Sequence, residues 1–308
     1  MATGSQRGWR GAASAGARGD PWVVRLGLPE GVEMRRVDYF FVGPGKCGTS
    51  WLYEFCARHQ LVNTPSLKEP YLLQFSEARQ QEYIARLYTG TGPIADFSNT
   101  YSFNKTCPRD IQQHNARARV VITVRKPSDR VRSHFRYHER TAATGLAMRE
   151  YFEAGDTESM LERSDYRPMI ERFVTTLGRE RILVLPLEVL RREPDSYASR
   201  LCDFLGAETV VLDERDLEPV RVASEPRWPV LGRSAKRLAV WLRGNGHLQV
   251  LGALKRSSII ERSLFRASPP SRVDRMDDFG PATARLKELD ESYPDVIREF
   301  AGWADAGV

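Results

Sequence analysis

Short apolar runs recur along the chain after residue 36, and segments with helical spacing of their apolar residues lie between them. The runs are 38–43 (DYFFVG), 94–98 (IADFS), 119–124 (RVVITV) and 181–188 (RILVLPLE). Continuous apolar runs of this length, rich in Val, Ile and Phe, are typical of strands that are buried on both faces. The pattern therefore predicts four strands, of which 119–124 gives the strongest signal.

Helical periodicity predicts four helices, over 49–59, from Pro127 to about Arg140, over 166–178 and over 194–205. Pro127 suits the first turn of a helix, and Gly178 and Gly206 suit helix ends. Strands that alternate with helices predict an α/β fold, a single domain with a central parallel sheet flanked by helices. Ligands of such sheets bind at the carboxyl ends of the strands.

The two ends of the chain have other patterns. Residues 1–35 are rich in Gly, Ala, Ser and Arg without periodicity, which predicts a flexible leader before one domain at 36–308. Residues 208–308 predict a mostly helical lid or acceptor-side segment with two short closing helices over 284–303. Its basic run, 236–258, could bind an anion or touch a membrane surface.

Composition narrows the classes of ligand and compartment. The net charge of +6 favours an anionic ligand, but the charges are too dispersed to indicate nucleic acid. The four cysteines lack metal-binding spacing, so we expect free thiols and no metal. Without an apolar run of membrane-spanning length or the core of a signal peptide, the sequence predicts a cytoplasmic protein.

A glycine-rich segment, 43–51 (GPGKCGTSW), lies between the first strand and the first helix. Its glycine spacing follows the P-loop pattern G-x-x-x-x-G-K-[ST], but Thr49 stands where that pattern has lysine. Lys46, the lysine of this segment, lies two residues before the second glycine. The segment predicts a P-loop-like turn that binds a phosphate at the start of a helix, although an ordinary strand-to-helix turn gives the same pattern.

Several groups of this loop could contact an anion. They are backbone N–H groups or side chains of Lys46, Cys47, Gly48, Thr49, Ser50 and Trp51. A second candidate anion site follows the strand 119–124, where Arg125 and Ser133 are eight residues apart. The alternative for Arg125 is an ion pair with Asp129 on a solvated basic helix. Two anion sites at strand ends of one sheet fit a ligand with two separated phosphate groups.

These segments resemble the sulfotransferase family, whose donor is 3′-phosphoadenosine 5′-phosphosulfate (PAPS) and whose nucleotide product is PAP. The loop 43–51 is similar to the family's 5′-phosphosulfate loop, and 125–133 (RKPSDRVRS) to its 3′-phosphate motif. The resemblance continues through 164–173 (SDYRPMIERF), which adds Tyr166 as a cofactor-binding residue, and reaches 207. It implies a sulfotransferase fold with a PAPS-binding core at 36–207, and a displaced lysine whose ammonium faces the bridging oxygen of the phosphosulfate.

The segment 66–75 (SLKEPYLLQF) resembles the K-E-x-x-F segment of heparan-sulfate and related carbohydrate sulfotransferases. The resemblance implies that Glu69 is the catalytic base, whereas a surface pair of Glu69 with Lys68 is the alternative, and His59 is interpreted as structural. In 94–101 (IADFSNTY), Phe97 and Asn99 depart from the lysine and proline of the family pattern E-K-S-P-x-Y. These departures argue against assuming a heparan-like acceptor.

Two functions fit these motifs, and a catalytically silent homologue is a third, weaker alternative. The first is transfer of a sulfonate from PAPS to a hydroxyl group of a small molecule, glycan or lipid, with Glu69 as base and Lys46 at the leaving oxygen. The second is a P-loop kinase or nucleotide-binding module that uses ATP and Mg²⁺. The second lacks a lysine after Gly48, and the strongest strand ends in Arg125 rather than in an acidic metal ligand.

Overall fold

The structure is a computed structural model that describes residues 34–142, 148–155, 157–218, 224–226, 265–267 and 279–303. The predicted leader, apart from its last two residues, and the basic run 236–258 lie outside the described residues.

A four-stranded sheet forms the centre of the fold. Its strands are β1 (Val37–Phe41), β2 (Ile94–Asp96), β3 (Arg119–Val124) and β4 (Ile182–Pro186). They pair in the order β2-β1-β3-β4, and all pairs are parallel. The prediction of an α/β fold with a central parallel sheet is therefore confirmed. In this order β2 lies on one side of β1 and β3 lies on the other, so the direction of the strand order reverses between β1 and β3. Ligands of such sheets bind at this point of reversal.

Helices surround this sheet. They are α1 (Thr49–Arg58), α2 (Glu77–Leu87), α3 (Cys107–His114), α4 (Pro127–Ala142), α5 (Met148–Ala154), α6 (Thr157–Glu162), α7 (Tyr166–Leu177), α8 (Leu187–Arg192), α9 (Pro194–Leu205), α10 (Glu214–Leu217) and α11 (Thr283–Val296). The four predicted helices correspond to α1, α4, α7 and α9. A short antiparallel pair, β5 (Ser224–Pro226) with β6 (Phe265–Ala267), completes the strands among the described residues.

Two predicted elements are corrected. The strand predicted over 181–188 ends at Pro186, and the chain turns directly into α8. The two short closing helices are instead one helix, α11, which passes through Pro294 and continues as a π-helix at Ile297–Ala301. Buried apolar residues before and after Pro294 share this helix, so their burial offsets the local cost of the proline.

The main core covers the sheet with residues of α1, α7, α9 and α11. A smaller cluster of buried residues packs α4 against α5, α6 and α11, with Val131 and Phe135 contributed by α4. This second cluster fixes the helix that follows β3. All four cysteines are buried and free. None of the helices among the described residues combines the length and the hydropathy that a membrane-spanning segment needs.

The end of α1 is anchored by Asp216 of α10. The Asp216 carboxylate accepts hydrogen bonds from Arg58 (2.7 Å) and His59 (3.0 Å), and its carbonyl accepts one from Trp51 Nε1 (2.6 Å). Burial raises the pKa of Asp216, but the bonds from His59 and the Asp213 backbone, together with the nearby charges of His59 and Arg58, outweigh burial and lower it. His59 therefore has the structural position expected from the sequence.

Candidate active site

Two glycines fix the loop between β1 and α1. A Cβ atom on Gly43 would lie 2.1 Å from Thr123 Oγ1, so the backbone packs directly against β3. Gly48 has φ +87° and caps α1, and a Cβ there would lie 2.8 Å from Leu187 Cδ1. The loop is thus held between β3 and α8 at the point where α1 begins, and the N-terminal N–H groups of this helix favour an anion.

The predicted loop contacts differ in exposure. Lys46, Gly48 and Ser50 are partly exposed, whereas Thr49 and Trp51 are buried. The thiol of Cys47 is fully buried, and burial raises its pKa to about 12, so it stays protonated at neutral pH. The direct contacts of Cys47 and Trp51 with the sulfonate donor PAPS stay predictions.

Lys46 extends from the loop toward α4. Its Nζ lies 3.7 Å from the centroid of the Tyr137 ring, within the range of a cation–π interaction. Tyr137 is 45% exposed, so the contact lies at the surface of the site. The sequence alone does not reveal Tyr137 because this contact joins segments that are distant along the chain.

A second lysine approaches the same loop from 66–75. Lys68 Nζ donates hydrogen bonds to Ser50 Oγ (3.0 Å) and Thr49 Oγ1 (3.2 Å). It also lies 4.0 Å from Glu69 Oε1. The pair of Glu69 with Lys68 is thus present, but it does not account for all contacts of Lys68, which also bonds to both loop hydroxyl groups.

Glu69 lies beside the loop with both carboxylate oxygens hydrogen-bonded. Asn99 Nδ2 donates to Oε1 at 2.7 Å, and the Tyr71 hydroxyl donates to Oε2 at 3.1 Å. The Glu69 side chain is 32% exposed, so it is accessible to a ligand. Asn99, which departs from the family pattern, thus orients the predicted base, while Phe97, the other departure, is buried in the core.

Backbone strain is concentrated around this carboxylate and the loop. Four described residues other than glycine have φ in the left-handed region, and three of them are Lys46 (76°), Glu69 (64°) and Tyr71 (54°). Such conformations cost roughly 1–3 kcal/mol each and are typical of functional sites. The segment 66–75 is therefore held in a conformation that favours a functional site at Glu69.

Asp96, at the end of β2, supports the segment that carries Glu69. Its buried carboxylate accepts hydrogen bonds from Leu72 N (3.2 Å), the Tyr101 hydroxyl (3.0 Å) and the Ser98 hydroxyl. Burial raises the pKa of Asp96 to about 6 even though these bonds oppose the shift. Since the carboxylate is fully buried, Asp96 supports this segment from the protein interior.

Arg125 lies at the carboxyl end of β3, and Ser133 lies on α4, partly exposed. The Arg125 guanidinium is 3.9 Å from the Asp129 carboxylate, so the ion pair considered as the alternative is present. Its buried Nε nevertheless makes no hydrogen bond within the described residues. Buried polar groups without partners are rare, so this atom favours a ligand at this end of the sheet.

Tyr166 connects the two candidate anion sites from inside the protein. Its hydroxyl donates to the Arg125 carbonyl at 2.6 Å and lies 3.9 Å from Cys47 Sγ. Burial raises the pKa of Tyr166 well above its ordinary value. The structure thus gives Tyr166 a bracing position between the sites, and its direct contact with a cofactor stays a prediction.

The sequence of the chain is similar to that of a known protein family. Residues 36–220 match the model of the sulfotransferase domain. The bifunctional heparan sulfate N-deacetylase/N-sulfotransferase 1 of Mus musculus is 28% identical over 193 residues, which cover 55% of this chain and 22% of that protein. The corresponding enzyme 3 of Homo sapiens is 25% identical over 229 residues, 65% of this chain and 26% of that protein. The chain therefore matches about a quarter of the length of these relatives.

A solved structure is also similar. The sulfotransferase from Alicyclobacillus acidocaldarius superposes with a TM-score of 0.52 at 20% sequence identity, covering 74% of this chain and 99% of that chain. At this identity the likeness concerns the fold. Because the domain model matches more than half of the chain and includes the glycine-rich loop, Glu69 and Arg125, the chain belongs to the sulfotransferase family.

Proposed function

We propose that the protein transfers a sulfonate group from PAPS to a hydroxyl group of a small-molecule, glycan or lipid acceptor, with Glu69 as the base. The observation that carries the proposal is the position of Glu69 beside a helix-initiating anion loop. Asn99 orients its carboxylate, and the neighbouring Lys68 bonds to Thr49 and Ser50 of that loop. The proposed base therefore lies next to the proposed donor site.

PAPS has two anionic groups, the 5′-phosphosulfate and the 3′-phosphate, and the chain offers a cationic side chain for each of them. Lys46 and the start of α1 suit the 5′-phosphosulfate, and Arg125 with Ser133 suits the 3′-phosphate. The buried Arg125 Nε, which has no hydrogen-bond partner in the part of the chain that the structure describes, supports an anion there.

The proposed reaction needs positioning, proton removal and charge stabilisation. Glu69 takes the proton of the acceptor hydroxyl while the acceptor oxygen forms a bond to sulfur. The bond from sulfur to the bridging oxygen breaks, and PAP leaves with the electron pair. Lys46 stabilises the negative charge that grows on this oxygen.

An amine acceptor is the second candidate, because the matched relatives in mouse and human are named N-sulfotransferases. A carboxylate at Glu69 can accept a proton from nitrogen as well as from oxygen. The kinase alternative is less well supported because the loop lacks lysine after Gly48 and the family match is to sulfotransferases.

Transfer from PAPS labelled in its sulfonate tests this proposal. Purified protein is incubated with matched acceptors that differ in one group, such as glucosamine oligosaccharides with free or acetylated amines, together with phenols and hydroxylated lipids. We expect label on hydroxyl groups with equal release of PAP. Label found only on free amines would replace the hydroxyl proposal, and binding of ATP with Mg²⁺ but not PAP would contradict both.

Arg125→Ala is expected to raise the dissociation constant of PAP about ten- to hundredfold, because a charge-assisted contact contributes roughly 1.5–3 kcal/mol. Calorimetric titration measures the constant, and thermal unfolding checks the fold. Arg298→Ala is the matched control, since it removes an arginine from an exposed pair with Asp295. Unchanged PAP affinity in folded Arg125→Ala would show that the 3′-phosphate binds elsewhere.

Tyr137→Leu is expected to lower turnover about two- to thirtyfold, since a cation–π contact contributes roughly 0.5–2 kcal/mol and Tyr137 orients Lys46. Tyr137→Phe keeps the aromatic ring and should retain most of the turnover. Steady-state kinetics with saturating PAPS measures the difference. Equal turnover of the Leu and Phe variants would show that the ring does not act through Lys46.

A further inference from the structure

Lys68 has contacts that a surface lysine beside Glu69 would not need. Its ammonium bonds to the hydroxyl groups of two consecutive loop residues, Thr49 and Ser50, and its side chain is only 11% exposed. We propose that Lys68 is a positioning residue that orients both hydroxyl groups toward the 5′-phosphosulfate of the donor. This inference rests on the function proposed above.

The direction of the hydroxyl protons follows from the hydrogen-bonding capacity of the Lys68 ammonium group. An ammonium group has three N–H donors and no acceptor, so Lys68 can only occupy lone pairs of the two hydroxyl oxygens. Each hydroxyl keeps one O–H group, which must then point away from Lys68. Thr49 and Ser50 stand at the start of α1, where N–H groups also favour an anion. Lys68 therefore prepares both hydroxyl groups as donors to an anionic ligand.

Charge supports the same assignment. Removing an ammonium from water is unfavourable unless anionic groups lie near it. Glu69 Oε1 lies 4.0 Å from Lys68 Nζ, but this oxygen also accepts a shorter bond from Asn99, 2.7 Å long. A phosphosulfate at the loop would add anionic charge close to Lys68 and offset its desolvation. The loop would then be flanked by two lysines, Lys46 and Lys68.

The position of Lys68 in the chain also links the donor loop to the base. Lys68 precedes Glu69 directly, and the Glu69 backbone N–H donates to the Phe97 carbonyl next to β2. Contacts of one lysine thus fix the loop relative to the segment that carries the carboxylate. Loss of these contacts should weaken binding at the 5′ end of the donor, with no direct effect at the 3′-phosphate.

The test compares two nucleotides that differ at the 5′ position. For Lys68→Met, we expect the dissociation constant of PAP to rise about ten- to hundredfold. Adenosine 3′-phosphate, which lacks the 5′-phosphate, should bind with unchanged affinity. Lys68→Arg keeps the charge and the N–H donors and should recover much of the PAP affinity. Lys287→Ala is the control, since that side chain is 78% exposed and the same charge is lost.

A double-mutant cycle with Ser50→Ala gives a second measurement. If Lys68 acts through this hydroxyl, the effect of Lys68→Met on PAP affinity should be smaller in the Ser50→Ala background. Equal weakening of both nucleotides, unchanged PAP affinity or fully additive effects would each overturn the positioning role. Failure of the unmodified protein to bind PAP would instead refute the proposed function and, with it, this inference.

Discussion

Glu69→Gln is expected to lower turnover at least about 10²-fold while PAP affinity barely changes. Glutamine has nearly the same shape as glutamate but cannot take up the acceptor proton. The site can accommodate it, because its amide oxygen can accept the bond from Asn99 and its NH₂ group can donate to the Tyr71 hydroxyl. Single-turnover kinetics with preloaded PAPS measures the chemical step directly.

The matched control for this change is Glu82→Gln, because Glu82 forms an exposed ion pair with Arg86 on α2. Turnover close to that of the unmodified protein in Glu69→Gln would place the base at another residue. Asp96 is a poor substitute because it is fully buried. His134 would accept a proton weakly, since burial and nearby cations lower its pKa to about 3.

Lys46→Ala is expected to lower turnover about 10²- to 10³-fold, with a smaller loss of PAP affinity. Charge on the bridging oxygen is largest in the transition state, so its stabilisation affects turnover more than binding of the ground state. Turnover at saturating PAPS and calorimetry with PAP separate the two effects. Lys105→Ala, at an exposed lysine, is the control. Lost nucleotide affinity with intact turnover would refute the leaving-group role.

The sequence allowed the sheet to be predicted because parallel strands buried on both faces give continuous apolar runs. It did not allow α2 to be predicted, although this helix is amphipathic in the structure. Gln80 and Gln81 are on its buried face, where Gln81 exchanges hydrogen bonds with the Arg35 backbone. Polar residues whose burial depends on distant backbone partners conceal the periodicity.

In the candidate site, too, some residues could be predicted from the sequence and others could not. The loop, Arg125 and Glu69 could be identified because each belongs to a local motif with a defined spacing. Lys68 and Tyr137 could not be assigned, because their contacts with the loop depend on how the segment 66–75 and α4 are placed beside it. Spacing along the chain does not encode such contacts between segments.

Calorimetric titration of the purified protein with PAP, in parallel with ATP and Mg²⁺, tests the central claim most directly. The proposed PAPS site predicts saturable, one-to-one binding of PAP without added metal, weakened by Arg125→Ala and by Lys68→Met. Binding of ATP that depends on Mg²⁺, together with no binding of PAP, would contradict it.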